Sequence, residues 1–276
     1  MTSRGVLYVA FGDRYQEEAR RSIGTLRRSS PGTSCAVITD SEWAADPRPD
    51  SFVLRPRDAS FGSKPRLMYG SSPYDETLFL DTDTVVVRDV AALFGLLRWY
   101  DLGVKFAGPQ LNEADGLEYH TQTSSGVILF RKCDEVRHAF ELWLAEFERA
   151  SAEVLDVVDL RGLGDQRYFA VAIARSRARP VHLDDFVLFN LAEATLTYSP
   201  PMIVHGRLPE LEEIANRMVS GWDPVKDWRP RFWLPDIRGF LPLRIRRADP
   251  LLFLAYGVRR LANRIRGLLD VRHRRR

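Results

Sequence analysis

Asp75-Glu-Thr-Leu-Phe-Leu-Asp81-Thr82-Asp83-Thr-Val-Val-Val87 is the stretch from which the rest of the chain is read. Leu78, Phe79 and Leu80 form an apolar run of strand length, and Val85 to Val87 form a second. Two carboxylates stand between them, separated by Thr82. In extended backbone, residues i and i+2 project to the same side, so Asp81 and Asp83 face one point at the carboxyl end of the first run. Paired carboxylates suit hard divalent cations that also hold phosphate, Mn²⁺ or Mg²⁺. Ligands of open α/β sheets bind beyond the carboxyl ends of the strands. A lone Asp-x-Asp is also the composition of a solvated turn, so its meaning rests on its surroundings.

Upstream, Val6 to Phe11 reads as a buried first strand and Gly12-Asp13 as a turn. Tyr15 to Arg28 has helical spacing, with Tyr15, Ala19, Ile23 and Leu26 on one side. Cys35 to Thr39 is a second strand ending at Asp40, and strand–helix–strand implies a parallel pair. The first strand is not followed by Gly-x-Gly-x-x-Gly, and the chain has no Gly-Lys-Ser/Thr phosphate loop, so dinucleotide and P-loop readings lose their main support. Residues 46–56 read as a loop with a short strand at Ser51 to Leu54. Ser63 is the expected cap of a helix carrying Lys64 and Arg66, with Pro65 in its first turn.

Downstream, Asp89 is read as the cap of a helix to about Leu97, Leu102 to Ala107 as a strand, and Gly108 to Tyr119 as a polar loop. Ser124-Ser125-Gly126 leads into Val127 to Phe130, a buried strand. Asp134 to Arg149 is an amphipathic helix with Val136, Phe140, Trp143, Leu144 and Phe147 on its apolar face. Gly164-Asp165-Gln166 opens another helix, with Asp165 placed to cap it. Val181 to Leu191 reads as part strand, and Trp222 to Trp233 as a loop. The apolar run from Pro201 ends in His205-Gly206. An imidazole is a good third ligand beside two carboxylates, and glycine lets backbone approach a phosphate closely.

In this order the segments resemble the GT-A-fold glycosyltransferases, most closely the glycogenin-like and bacterial lipooligosaccharide galactosyltransferase group, over about residues 5 to 210. The resemblance implies a Rossmann-like mixed, mainly parallel sheet flanked by helices across residues 1–240. It implies transfer of a sugar from a nucleotide diphosphate sugar, a UDP-sugar by preference and with retention, to a glycan or lipid-linked acceptor. Asp81, Asp83 and His205 would then hold Mn²⁺ or Mg²⁺, Asp81 touching metal or ribose. Ala10, Phe11, Gly12 and Tyr15 would receive the nucleoside. Lys64, Thr82, Gly206 and Arg207 would lie on the donor side, and Ser124, Ser125 and Gly126 over the sugar and diphosphate. Asp165 and Gln166 would meet the transferred sugar and acceptor. Ser124 departs from the asparagine commoner in that family, and Leu208-Pro209-Glu210 replaces a frequent lysine. Two other readings stay open, a metal-dependent nucleotidyltransferase and a non-catalytic nucleotide- or sugar-binding scaffold. The first normally shows a glycine-rich basic loop after strand one, which Ala10-Phe-Gly-Asp-Arg-Tyr15 matches poorly.

Length and composition fit one large domain plus an appendage: 276 residues, 45% hydrophobic and 28% charged, as in ordinary globular proteins. Cys35 and Cys133 are too far apart in sequence for a cysteine-rich metal site and are expected reduced. No secretory leader is read at the amino terminus and no apolar run is long enough to span a bilayer, so a cytoplasmic protein is expected. Residues 241–276 form the appendage. From Arg244 onward it carries +9 against +3 for the whole chain, leaving −6 on the body. Leu254, Val258, Leu261, Ile265 and Leu268 make an apolar helical stripe beside Arg259, Arg260, Arg264 and Arg266, which suits an anionic membrane surface at the inner face of the plasma membrane. With no nucleic-acid fold motif, nucleic acid is not expected as a partner.

Overall fold

A computed structural model describes residues 2–57, 63–112, 117–154, 166–193, 195–197, 199–220 and 231–242. Its first half comprises strands Arg4–Val9 (β1), Cys35–Thr39 (β2), Ser51–Leu54 (β3), Glu76–Leu80 (β4) and Thr84–Val86 (β5), with helices Asp13–Ser29 (α1) and Ser63–Ser71 (α2). Strands Leu102–Asn112 (β6) and Leu117–Arg131 (β7) follow, then helices Asp134–Val154 (α3) and Gln166–Arg175 (α4). The last part holds Pro180–His182 (β8), Leu188–Asn190 (β9), Thr195–Thr197 (β10), Ile203–His205 (β11), Leu211–Ser220 (α5), Arg231–Leu234 (β12) and Gly239–Pro242 (β13).

The main sheet has the order β3-β2-β1-β4-β7-β6-β8. Neighbours from β3 to β4 are parallel, β7 is antiparallel to β4 and β6, and β8 returns parallel to β6. The connections reverse direction between β1 and β4, which opens a crevice above their carboxyl ends. Both faces of the sheet are covered, which is why its central strands read as unbroken apolar runs. On one face Tyr8, Leu78, Leu80 and Leu129 pack on Ile23 and Leu26 of α1 and on Phe94 and Leu97. On the other, Leu7, Ile38, Phe79 and Phe130 meet Phe140 and Trp143 of α3 and Phe169 of α4. The Trp143 and Phe169 rings stack at 4.2 Å.

Two three-stranded sheets finish the fold, β5-β11-β9 and β10-β12-β13. Ile214, Ala215 and Met218 of α5 pack there with Phe189, Val204 and Trp233. The expected GT-A-type architecture is the one found, with three local differences. Residues 91–98 form a 3-10 helix, not an α-helix. Asp89 accepts from the Ala91 N–H at 2.9 Å, and the Leu93 N–H closes a tight turn on the Val90 carbonyl. Residues 108–119 are not simply a loop, because β6 and β7 stay paired as far as Asn112 and Leu117. Three register shifts along that pairing break the two-residue period by which a strand is read. Inside the expected loop at 222–233, Arg231–Leu234 is a strand, anchored by the bond from Trp233 Nε1 to the Leu191 carbonyl at 3.1 Å. The expected boundary at 240 falls inside β13, and the basic appendage from 243 onward lies outside the described residues.

Candidate metal centre

The site grows from the end of β4. The Asp81 N–H donates to the Gly126 carbonyl at 2.8 Å, one further rung of the β4–β7 ladder. The chain then turns, and the Thr84 hydroxyl closes the turn on the Asp81 carbonyl at 2.7 Å. β5 begins at Thr84, which is paired with His205 on β11. The Gly206 N–H donates to the Asp83 carbonyl at 3.1 Å. Asp81 and Asp83 therefore converge through a turn rather than through continuous strand, and the β5–β11 ladder delivers the imidazole to them.

One ligand atom each from Asp81, Asp83 and His205 lie within 4.8 Å of one another. His205 Nε2 is 3.3 Å from Asp83 Oδ1 and 3.9 Å from Asp81 Oδ2. Lys64 Nζ flanks the cluster on one side, 2.7 and 3.0 Å from the two Asp81 oxygens. Arg207 lies 3.5 Å from both Asp83 and Glu18. The imidazole ring rests against Gly126, where a Cβ would stand 2.7 Å from His205 Cε1.

Burial raises the Asp81 pKa and outweighs the pull of Lys64 and His205. Burial also opposes ionisation of Asp83, but the His205 hydrogen bond and the charges of His205 and Arg207 prevail and hold its carboxyl at about 2. For His205 burial disfavours charge, yet the Asp83 bond and both carboxylates raise its pKa above the usual imidazole value. Both carboxylates thus draw positive charge to the point where they meet His205 Nε2. His205 Nδ1 is buried with no hydrogen-bond partner among the described residues, so packing on Gly126 rather than a second bond orients the ring and leaves Nε2 facing the carboxylates. Two carboxylates and one imidazole nitrogen in this arrangement fit Mn²⁺ or Mg²⁺.

The other expected residues are distributed as follows. Ala10 and Phe11 are buried at the end of β1, followed by Gly12 with φ 77°, a conformation that favours glycine. Tyr15 is 40% exposed in the first turn of α1, so it is not a core residue, and the Arg14 and Arg207 guanidiniums each lie 5.7 Å from its ring centre. Ser124 and Ser125 are buried on β7 beside Gly126, at the same edge of the sheet as Asp81. Thr82 is buried and its hydroxyl donates to Glu18 Oε2 at 2.7 Å, on α1. Gln166 is exposed at the start of α4, and Asp165 lies outside the described residues.

Glu18 went unnoticed in the sequence. It accepts from Thr82 and pairs with Arg14 and Arg207, tying α1 to the metal turn. Its signal was its place three residues after Tyr15, on the helix side that faces inward. Asp83 and Arg207 also line a cavity of about 320 Å³ between α1 and the segment before α5.

No protein-family model matches the sequence, and no curated protein sequence matches it. Among solved structures, the glycosyltransferase GlyE of Streptococcus pneumoniae TIGR4 superposes with TM-score 0.52 at 14% identity, over 83% of this chain and 62% of that one. The galactosyltransferase LgtC, solved with donor and acceptor sugar analogs, gives 0.48 at 13% identity over 75% and 88%. Mouse xyloside xylosyltransferase 1 gives 0.49 at 13% identity over 74% and 97%. The chain shares the fold of GlyE and spans 62% of its length.

Proposed function

We propose that the protein is a metal-dependent glycosyltransferase that moves a sugar from a nucleotide diphosphate sugar, with UDP-sugar the first choice, to a glycan or lipid-linked acceptor with retention. The observation that carries this reading is the convergence of Asp81, Asp83 and His205 at the crevice between β1 and β4, flanked by Lys64 and Arg207. The fold shared with a glycosyltransferase supports it.

Asp81, Asp83 and His205 would hold Mn²⁺ or Mg²⁺, which when bound supplies positive charge to a diphosphate leaving group. Lys64 beside Asp81 and Arg207 beside Asp83 add to the field that favours departure of the nucleoside diphosphate. Gly206 and the Ser125-Gly126 segment let backbone line the diphosphate and sugar. Tyr15 offers an exposed ring beside the β1–α1 turn for the base. Asp165 and Gln166 are assigned to positioning the donor sugar and acceptor. No residue is assigned as a general base. The basic segment 244–276 is assigned to an anionic membrane surface, which would bring a lipid-linked acceptor within reach.

The test is a thermal-shift screen of UDP, GDP, ADP, CDP and dTDP, each with and without Mn²⁺. Selective binding to the native state raises its apparent stability by mass action. A large shift with at least one nucleoside diphosphate is expected, dependent on Mn²⁺ and lost in Asp83→Ala. Slow hydrolysis of the matching nucleotide sugar without acceptor is expected of the enzyme and not of a binding scaffold. No shift with any diphosphate would overturn the reading.

A further inference from the structure

We propose that Glu18 is a positioning residue whose buried carboxylate holds the Arg207 guanidinium beside Asp83. The inference rests on the nucleotide-sugar reading and adds a residue set behind the site. Glu18, Ser22, Thr25 and Ser29 share one stripe of α1 and stitch that helix to the chain from Thr82 to Val86. Ser22 Oγ lies 2.9 Å from Thr84 Oγ1, Thr25 Oγ1 accepts the Val86 N–H at 2.9 Å, and the Ser29 hydroxyl donates to the Val86 carbonyl at 2.9 Å. Glu18 begins the stripe, beside the metal turn, where its Oε2 accepts the Thr82 hydroxyl at 2.7 Å.

The other three residues do this with neutral hydroxyls. Thr82 likewise needs only an acceptor, which an amide oxygen would supply. A buried carboxylate is costly unless cations offset it, and the Glu18 side chain is only 10% exposed. Its Oε1 faces two guanidiniums. Arg14 Nε lies 3.4 Å away, in an i,i+4 pair whose arginine is 66% exposed, a contact of little strength. Arg207 Nε lies 3.5 Å away and reaches across from the segment that follows His205-Gly206. The same guanidinium places Nη2 3.5 Å from Asp83 Oδ2. Arg207 is itself half-exposed, so its place is set by these two carboxylates and by the Tyr15 ring.

With Asp83 committed to a divalent cation, its pull on Arg207 is cancelled and the guanidinium is repelled. Glu18 stands outside the ligand set and keeps its attraction. Arg207 is thereby retained next to the metal turn, its N–H groups at hand for diphosphate oxygens. The sign of the effect separates this role from two others. By its own field Glu18 repels a diphosphate, so neutralising it would tighten binding. As a mere anchor for Thr82, it would be replaced by glutamine without loss. As the holder of Arg207 it strengthens binding, and neutralising it loosens the complex.

The experiment is calorimetric titration of the whole protein with UDP, GDP, ADP, CDP and dTDP in the presence of Mn²⁺, followed by a double-mutant cycle on the diphosphates that bind. Glu18→Gln and Arg207→Gln are each expected to weaken binding by about fivefold, and the double variant to be no weaker than Arg207→Gln alone. Thr82→Val, which breaks the hydrogen bond to Glu18 and leaves its charge, should lose clearly less than Glu18→Gln. Unchanged melting temperatures without ligand would show that the variants fold. Tighter or equal binding by Glu18→Gln, losses that multiply in the double variant, or equal losses in Thr82→Val and Glu18→Gln overturn this inference and leave the glycosyltransferase reading standing. Failure of all five diphosphates to bind the wild type overturns both.

Discussion

Gly126 does its work by having no side chain. A methyl group there would lie 2.7 Å from the His205 ring, which among the described residues has no hydrogen bond at Nδ1 to hold it against displacement. Gly126→Ala is therefore expected to rotate the imidazole away from Asp83. The overpacking should cost about 1–3 kcal/mol of stability. Mn²⁺ affinity, read from the free-ion signal in electron paramagnetic resonance, should fall by about tenfold or more. Unaltered affinity in a folded variant would remove His205 from the ligand set. Most of this cluster was legible in the chain because its chemistry is local: carboxylates after an apolar run, an imidazole after another, a lysine at a helix start. Glu18 was not, because a glutamate on a surface helix reads as solvated until Thr82 and Arg207 are brought to it by the fold.

At the level of elements, Asp101 binds three strands together at the edge of the sheet opposite the metal centre. Its side chain is 3% exposed and accepts from Arg131 at the end of β7 and from Arg179 just before β8, while its own residue precedes β6. The Arg179 hydrogen bond, opposed by burial and helped by Arg131, holds its carboxyl down from 3.8 to about 2. A depressed carboxylate contributes stability that is fully present above its unfolded pKa and lost as pH falls through the folded one. Denaturant unfolding of the wild type should therefore weaken between about pH 4 and pH 2 partly through this group, by about 1–2 kcal/mol after allowance for the exposed arginines. Asp101→Asn should be less stable by a similar amount at neutral pH and show a flatter profile below about pH 4. Equal acid sensitivity in the two proteins would refute this role.

The same neighbourhood shows where reading by element stops. The body of β6 and β7 was evident from Val127 to Phe130 and from Leu102 onward. Their continuation was not, since bulges remove the alternation and polar side chains remove the apolar signal. Buried Lys105, paired with Asp185 at 2.7 Å and Glu193 at 3.2 Å, is invisible in the same way, because a lysine inside a strand acquires its partners only from distant segments.

Across the whole molecule, charge is divided between a body of −6 and a terminal segment of +9. Among the described residues no helix is long and apolar enough to cross a membrane. The full chain is expected to co-sediment with vesicles rich in anionic phospholipid, and to be released by salt at about 0.5 M, where screening reaches only a few ångströms. A chain ending at 242 should stay in the supernatant. Equal sedimentation of both forms would place the membrane contact elsewhere or abolish it.

His205 reaches the carboxylates through three paired positions, Ile203 with Val86, Val204 with Val85 and His205 with Thr84, which join distant parts of the chain. Closing so long a loop is slow, and contacts of high sequence separation tend to form after local ones. During refolding, α1, its flanking strands and the turn at Asp81 can assemble while β11 is still unattached. The capacity to capture Mn²⁺ should then return later than the bulk of the helical signal, making metal uptake a clock for the final step by which the chain becomes native.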